Sequence, residues 1–414
     1  MNPKTTIFSF VSGLISASLL IGACTTVQTV EVTKQVPVEV TKEVQVPVEV
    51  TRVVEVQAPT AAPVEESPDV GTLPQAPDKK VALIIALGGL GDRSYNDSGF
   101  AGLTKAAQDF GVEVVPFESP DPLGEGEQIL RNAAEAGFDL VITLEYSHFD
   151  PLARVAPDYP DTTFAIINVV VDGPNIVSVL YDEHTGSYLA GALAAMVTTD
   201  ETIEQVNDKA VMGAIGGVPA SGIDVFLHGY LQGACAVNPD IKVLLAYSNA
   251  FDDPAKGREI TLGMFEQGAD VVFSAAGGTG SGIIEAAKEE NHFAVGVDSD
   301  QDFIAPGNVL TSMMKRVDVA VYDMIRRLAE GTLKGGKEVR YGLDSNGVGI
   351  TEMTYTRHII PAEYVDRVSQ MREDIIAGKI DVIDIRTLPE DLYAFINENA
   401  SCEGFDELRE KINK

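Results

Sequence analysis

From residue 80 onward, short apolar runs end in small residues and then give way to stretches with helical spacing. Residues 80–86, KVALIIA, are almost continuously apolar, the pattern of a strand in a parallel sheet covered on both faces. They run into Gly88, Gly89 and Gly91, and a helix over 98–110 follows, ended by Gly111. The alternation continues with strands over 112–116, 140–144 and 163–167 and helices over 126–136 and 149–155. A short strand over 177–180 precedes a helix over 186–196 rich in alanine and glycine, which suits close packing. A second series has strands over 210–215, 242–246, 270–275, 292–297 and 309–315, with helices over 223–236 and 254–268. A helix over 319–329, closing strands over 339–343 and 348–353, a helix over 361–378 and an amphipathic helical tail from 388 complete the chain. Repeated βα units with short loops predict an α/β protein with parallel sheets.

Residues 271–282, VVFSAAGGTGSG, organise the rest: strand, tight turn, helix. Other strands also end in turns built for close approach, at Gly88 to Asp92, at Gly216-Gly217 and at Asp298-Ser299-Asp300. In open parallel sheets ligands sit beyond the carboxyl ends of the strands, so these turns predict a polar cleft. The glycine turn lacks the GxxxxGK[ST] pattern of a phosphate loop.

The first 79 residues read differently. Residues 7–21 are apolar, too few for a membrane span, and Ile21-Gly22-Ala23-Cys24 follows, as in a lipoprotein signal cleaved before Cys24. Residues 24–79 are then a stalk and linker, in which VPVEVTK at 36–42 returns as VPVEVTR at 46–52. Proline interrupts sheet pairing there and little bulk is available for a core. The length of 414 residues suggests about two domains besides these segments. A net charge of −32 argues against a nucleic-acid partner, which wants a basic surface. Once Cys24 carries lipid, Cys235 and Cys402 remain; nothing in their spacing decides whether they pair.

Several segments together resemble the basic membrane protein family, lipid-anchored solute receptors of ABC transporters whose characterised members bind purine nucleosides. They are GGLGDRSYNDSGFAGL at 88–103, HTGSYLAGALAAM at 184–196, VMGAIGG at 211–217 and FDDPAKGRE at 251–259. GADVVFSAAGGTGSG at 268–282, VGVDSDQ at 295–301 and VLTSMMKRVD at 309–318 continue the series in the family's order. The resemblance implies a type I periplasmic-binding-protein fold of two Rossmann-like lobes joined by three crossings. The expected first lobe is 80–180 plus 300–329, the second 181–299 plus 335–385, with 386–414 a helical appendage.

It also implies a cleft that stacks a base between aromatics and holds a ribose with charged or amide groups. Phe251 then stacks from the second lobe and Phe100 faces it from the first. Asp298, with Asp300 as competitor, accepts from ribose hydroxyls, and Lys315 stands beside the sugar. Asp92 and Asn96 fit base or sugar recognition, although Asp92 could equally cap its own loop. Gly277 and Gly278 let backbone line the cleft; Tyr146 and His148 are further candidates past the third strand. Two departures stand out: Asn168 where the family usually has an aspartate, and Ala86-Leu87 where it often has a polar or acidic residue. The implied function is an extracytoplasmic, monomeric receptor that serves a permease, with no cofactor, metal or catalytic group. A receptor for another small polar ligand with a sensory role, and a nucleoside hydrolase, are the alternatives.

Overall fold

The computed structural model describes residues 73–413. The expected signal, Cys24 and the valine-rich repeats lie outside the described residues. The end of the expected linker already belongs to the folded body: Ala76 is buried and its N–H donates to the Phe110 carbonyl at 2.8 Å.

The chain first builds β1 (Lys80–Ile84), α1 (Tyr95–Phe110), β2 (Glu113–Phe117), α2 (Gly126–Glu135), β3 (Leu140–Thr143), α3 (Phe149–Val155), β4 (Thr163–Ile167) and β5 (Ile176–Tyr181). It then forms α4 (Glu183–Thr198), β6 (Val211–Gly216), α5 (Ser221–Val237), β7 (Lys242–Tyr247), α6 (Pro254–Glu266) and β8 (Val271–Ala275). Next come α7 (Gly280–Glu289), β9 (Phe293–Asp298), β10 (Val309–Lys315), α8 (Val317–Ala329), β11 (Lys337–Tyr341) and β12 (Val348–Ile350). Three helices close it: α9 (Ala362–Ile376), α10 (Glu390–Glu398) and α11 (Cys402–Ile412).

Two six-stranded sheets result, ordered β11-β5-β4-β3-β1-β2 and β12-β10-β9-β8-β6-β7. The first is wholly parallel, and the second is parallel except where β12 runs against β10. Strand order reverses between β1 and β3 in one lobe and between β6 and β8 in the other. Those switch points open a crevice at the carboxyl edge of each sheet. The chain passes between lobes three times, at 181–183, 315–317 and 341–348.

Two segments join the sheet opposite to the one expected. Residues 309–315 form β10, inside the second sheet beside β9, whereas 337–341 form β11, the outer strand of the first sheet beside β5. The apolar run of β10 suits a buried strand in either sheet. Its place is decided by the crossing, which comes after it and leaves only Arg316 between β10 and α8.

The small-residue helix 186–196 is the middle of α4, buried along its whole length against α5. A methyl group added at Gly191 would sit 2.0 Å from the Tyr230 carbonyl oxygen, so glycine alone permits this approach. The tail expected as an appendage is part of the second lobe. Ile396, Phe405 and Leu408 are buried in its core, and Cys402 at the head of α11 is disulfide-bonded to Cys235 in α5, with Cα atoms 5.3 Å apart.

Candidate functional site

The facing switch points enclose a cleft of about 690 Å³. From the first lobe, β1 and α1 supply its floor. Gly88, Gly89 and Gly91 all have positive φ, which lets the loop fold back over the start of α1. Asp92 holds that fold: its carboxylate accepts from the N–H groups of Ser94 (2.9 Å), Asn96 (2.8 Å) and Asp97 (3.1 Å). Burial raises its pKa while those three N–H bonds oppose the rise. Asp92 lines the cleft, but its carboxylate is occupied as the cap of its own loop. Asn96 is also tied back, its Oδ1 accepting from the Ala86 N–H at 2.9 Å.

Asp298 behaves otherwise. It ends β9 with φ of 63°, a conformation costly for a residue with a side chain and found most often where geometry serves function. One carboxylate oxygen accepts from Ser94 Oγ, so the bond runs between the lobes. The other has no hydrogen-bond partner among the described residues, and the residue lines the cleft. Burial pushes its pKa up to about 6, against the pull of Lys315.

Lys315 closes the same end of the cleft. Its Nζ donates to Asn168 Oδ1 at 2.6 Å and pairs with Glu183 at 2.8 Å. It also lies 5.0–5.4 Å from the ring centroids of Tyr181, Phe226 and Tyr95. An aromatic cage around a desolvated ammonium adds cation–π attraction. Glu183 accepts in addition from Arg386 at 2.7 Å, and Arg386 is held by Asp384 at 2.8 Å. Burial pushes the Glu183 carboxyl up, but Lys315 and Arg386 together hold it below the usual range. This chain of charges straddles the hinge: Asn168 comes from the first lobe, Lys315 and Glu183 from two crossings, and Arg386 from beyond α9.

Of the other expected site residues, Phe251 and Gly277 line the cleft from the second lobe and Tyr146 from the first. Gly278 is outside the lining, packed close to Phe251 and Asp92. Phe100 is also outside it. It lies one turn along α1 from Asn96, about 6 Å further from the helix start at 1.5 Å per residue, and borders a shallow surface hollow with Lys105. Asp300 is exposed and accepts from the Asp302 N–H at 3.0 Å, so it caps its turn. His148 faces away: its ring nitrogens bond Thr143 at 2.9 Å and the Pro122 carbonyl at 2.8 Å, which makes it a lock for the loop after β3.

Tyr95, Phe149, Phe226, Glu183 and Arg386 were not foreseen. Glu183 drew no site reading from the sequence, and Arg386 fell in the segment read as a helical appendage. Tyr95 and Phe149 each sit at a helix start directly after a loop, which is where a cleft-facing aromatic could have been sought.

The family model described as ABC transporter substrate-binding protein PnrA-like matches residues 79–386. Curated relatives include the CD4+ T-cell-stimulating antigen of Listeria monocytogenes, 32% identical with 74% of this chain and 88% of that protein covered. The ABC transporter nucleoside-binding protein BmpA of Lactococcus lactis is 31% identical, with 74% and 89% covered. Among solved structures, an ABC transporter solute-binding protein from Aeropyrum pernix aligns with a TM-score of 0.71 at 28% identity, covering 79% of this chain and 99% of its own. A periplasmic solute-binding protein from Actinobacillus succinogenes aligns at 0.52 and 14%, a likeness of fold. Two parallel-sheet lobes, a cleft at their switch points and a family match across both lobes agree: the chain belongs to the Bmp family of ABC transporter substrate-binding proteins.

Proposed function

We propose that this substrate-binding protein receives a purine nucleoside in the inter-lobe cleft and, lipid-anchored through Cys24 and monomeric, delivers it to an ABC permease. The observation that carries the assignment is the pairing at the closed end of the cleft. Asp298 offers one free carboxylate oxygen beside the caged Lys315, which suits a sugar hydroxyl able to donate to one and accept from the other. Aromatic rings reach the cleft from both lobes, Phe251 from one and Tyr146 and Phe149 from the other, and suit the faces of a flat base. The nucleoside-binding name of the Lactococcus relative supports the same ligand class. Substrate-binding proteins of ABC transporters work outside the cytoplasm, and no helix among the described residues is long and apolar enough to cross a membrane.

The test is direct. The protein is stripped of carried ligand in mild denaturant, refolded, and titrated by calorimetry with guanosine, inosine, adenosine, cytidine and ribose. Purine nucleosides bind and the other two bind more weakly, and chromatography of the mixtures recovers the nucleoside with no free base. Absence of binding by the refolded protein removes the nucleoside assignment; release of base turns it into a hydrolase.

A further inference from the structure

The two ends of the cleft differ in kind. Besides Asp92 and Glu145, the charged side chains of the lining are Asp298, Lys315 and Arg386: Lys315 belongs to one crossing, Arg386 pairs with Glu183 of another, and Asp298 stands beside Met314 in the register of β9 and β10. Asp92 and Glu145 are occupied: Asp92 by three N–H groups, Glu145 by the N–H groups of Leu87 (3.0 Å) and Ser147 (3.1 Å). Toward the mouth the first-lobe wall consists of Leu87, Leu123, Tyr146, Phe149 and Val170, each 39–52% exposed. They follow four strands of that sheet, β1, β2, β3 and β4, so four of its six strands contribute an exposed apolar side chain to the lining. Those five make up half of the ten large hydrophobic side chains that stand exposed among the described residues. Such a concentration at a concave site marks a surface that something covers. A base stacked on Tyr146 and Phe149 covers those two and leaves Leu87, Leu123 and Val170, from the loops after β1, β2 and β4, for a further apolar group.

Lobe contact does not cover it. The lobes already touch on the side of the β1–α1 loop: Ser94 bonds Asp298, Gln301 Nε2 donates to the Arg93 carbonyl at 2.9 Å, and Ser299 Oγ donates to the Ser94 carbonyl at 3.2 Å. With those bridges made, the five side chains remain open to the cleft. The opposite wall at that level, Val218, Pro219 and Ile223, is apolar as well.

We infer that the outer half of the cleft is a subsite for an apolar substituent. The ligand is a polar ring system with an alkyl or aryl group attached, its polar part at Asp298 and Lys315 and its apolar part between Leu123 and Val170 on one side and Ile223 on the other. This rests on the purine-nucleoside assignment above for the identity of the polar part only.

The experiment uses the full refolded chain and two sets of probes. In the first, adenosine is compared with adenosines carrying a benzyl group at N6, C8 or the 5′ oxygen. At least one benzylated compound binds about tenfold more tightly than adenosine, a difference of about 1.4 kcal/mol. The Leu123→Ser/Val170→Ser variant brings that ratio back toward one. If adenosine binds and no benzylated compound binds more tightly, or if the gain survives in the variant, the subsite is overturned and the nucleoside assignment stands. In the second set, the neutral dye N-phenyl-1-naphthylamine is titrated without nucleoside. One-to-one binding that the double variant abolishes supports the subsite even where every nucleoside fails, in which case only the nucleoside assignment falls. Failure of both sets overturns both.

Discussion

Two buried carboxylates line the cleft from opposite lobes, and they do opposite work. Asp92, after β1, accepts three backbone N–H bonds and fixes a loop. Asp298, at the end of β9, accepts one bond from Ser94 and keeps an oxygen free. Both are buried and both line the cleft. What separates a structural acid from a recognition acid here is the number of donors the protein itself supplies. Glu183, held between Lys315 and Arg386, extends the first kind.

That contrast can be broken by substitution. The largest effect belongs to Glu183→Ala, which leaves two cations buried without their shared partner. It costs about 3–5 kcal/mol by the measure of broken buried pairs, read as a lowered denaturant midpoint. Asp92→Ala comes next: the loop loses its acceptor, three N–H groups lose their bonds, and stability falls by about 1–3 kcal/mol, with affinity reduced only as the loop loosens. Asp298→Asn sharpens the contrast from the other side. It keeps the shape, tolerates the positive φ, and removes a costly buried charge, so the melting point holds or rises while purine-nucleoside affinity drops about 10-fold to 100-fold, the worth of about 1.5–3 kcal/mol for bonds to a charged group. A drop in stability at Asp298→Asn larger than at Asp92→Ala would reverse the two roles.

The last effect is on pH. The folded pKa of Asp298 is about 6, above its ordinary value of 3.8, so the folded state holds the proton more tightly than the unfolded chain. Its contribution to stability is full below about pH 4 and is lost as pH rises through 6. Asp270, buried at the far end of β8 with Thr198 and the Asn207 N–H, adds to the same trend with a folded pKa of about 7. Ligand affinity runs in the opposite sense, because the ionised Asp298 is the acceptor: binding weakens as pH falls through 6. Calorimetry at pH 5 and 7.5 in wild type and Asp298→Asn checks both, and the variant loses the binding trend while keeping the Asp270 share of the stability trend.

Much of this site was readable before any coordinates, for a physical reason. Strand ends followed by glycine or short polar residues announce themselves locally, and Gly277 and Asp298 stand at such ends; Phe251 and Lys315 came from the family resemblance, and all four line the cleft. Phe100 misled because motif position says nothing of helical advance: one turn past Asn96 already carries a side chain off the cleft. Glu183 and Arg386 are 203 residues apart and meet only because the tail folds back along α5 to the hinge, a relation no local pattern encodes. The exchange of β10 and β11 between sheets has the same origin, since neither the apolar run of β10 nor the mixed KEVRY of β11 carries the name of its neighbours.

The disulfide has one more consequence, which is topological. Cys235 and Cys402 are 167 residues apart, and the chain between them leaves the second lobe through β10, visits the first lobe in α8 and β11, and returns through β12. Joined at its ends, this excursion is a closed covalent ring that passes through both bodies. A single cut anywhere along it, including the exposed turn after α8, therefore frees no fragment: the nicked molecule migrates as one species until a reductant opens the ring.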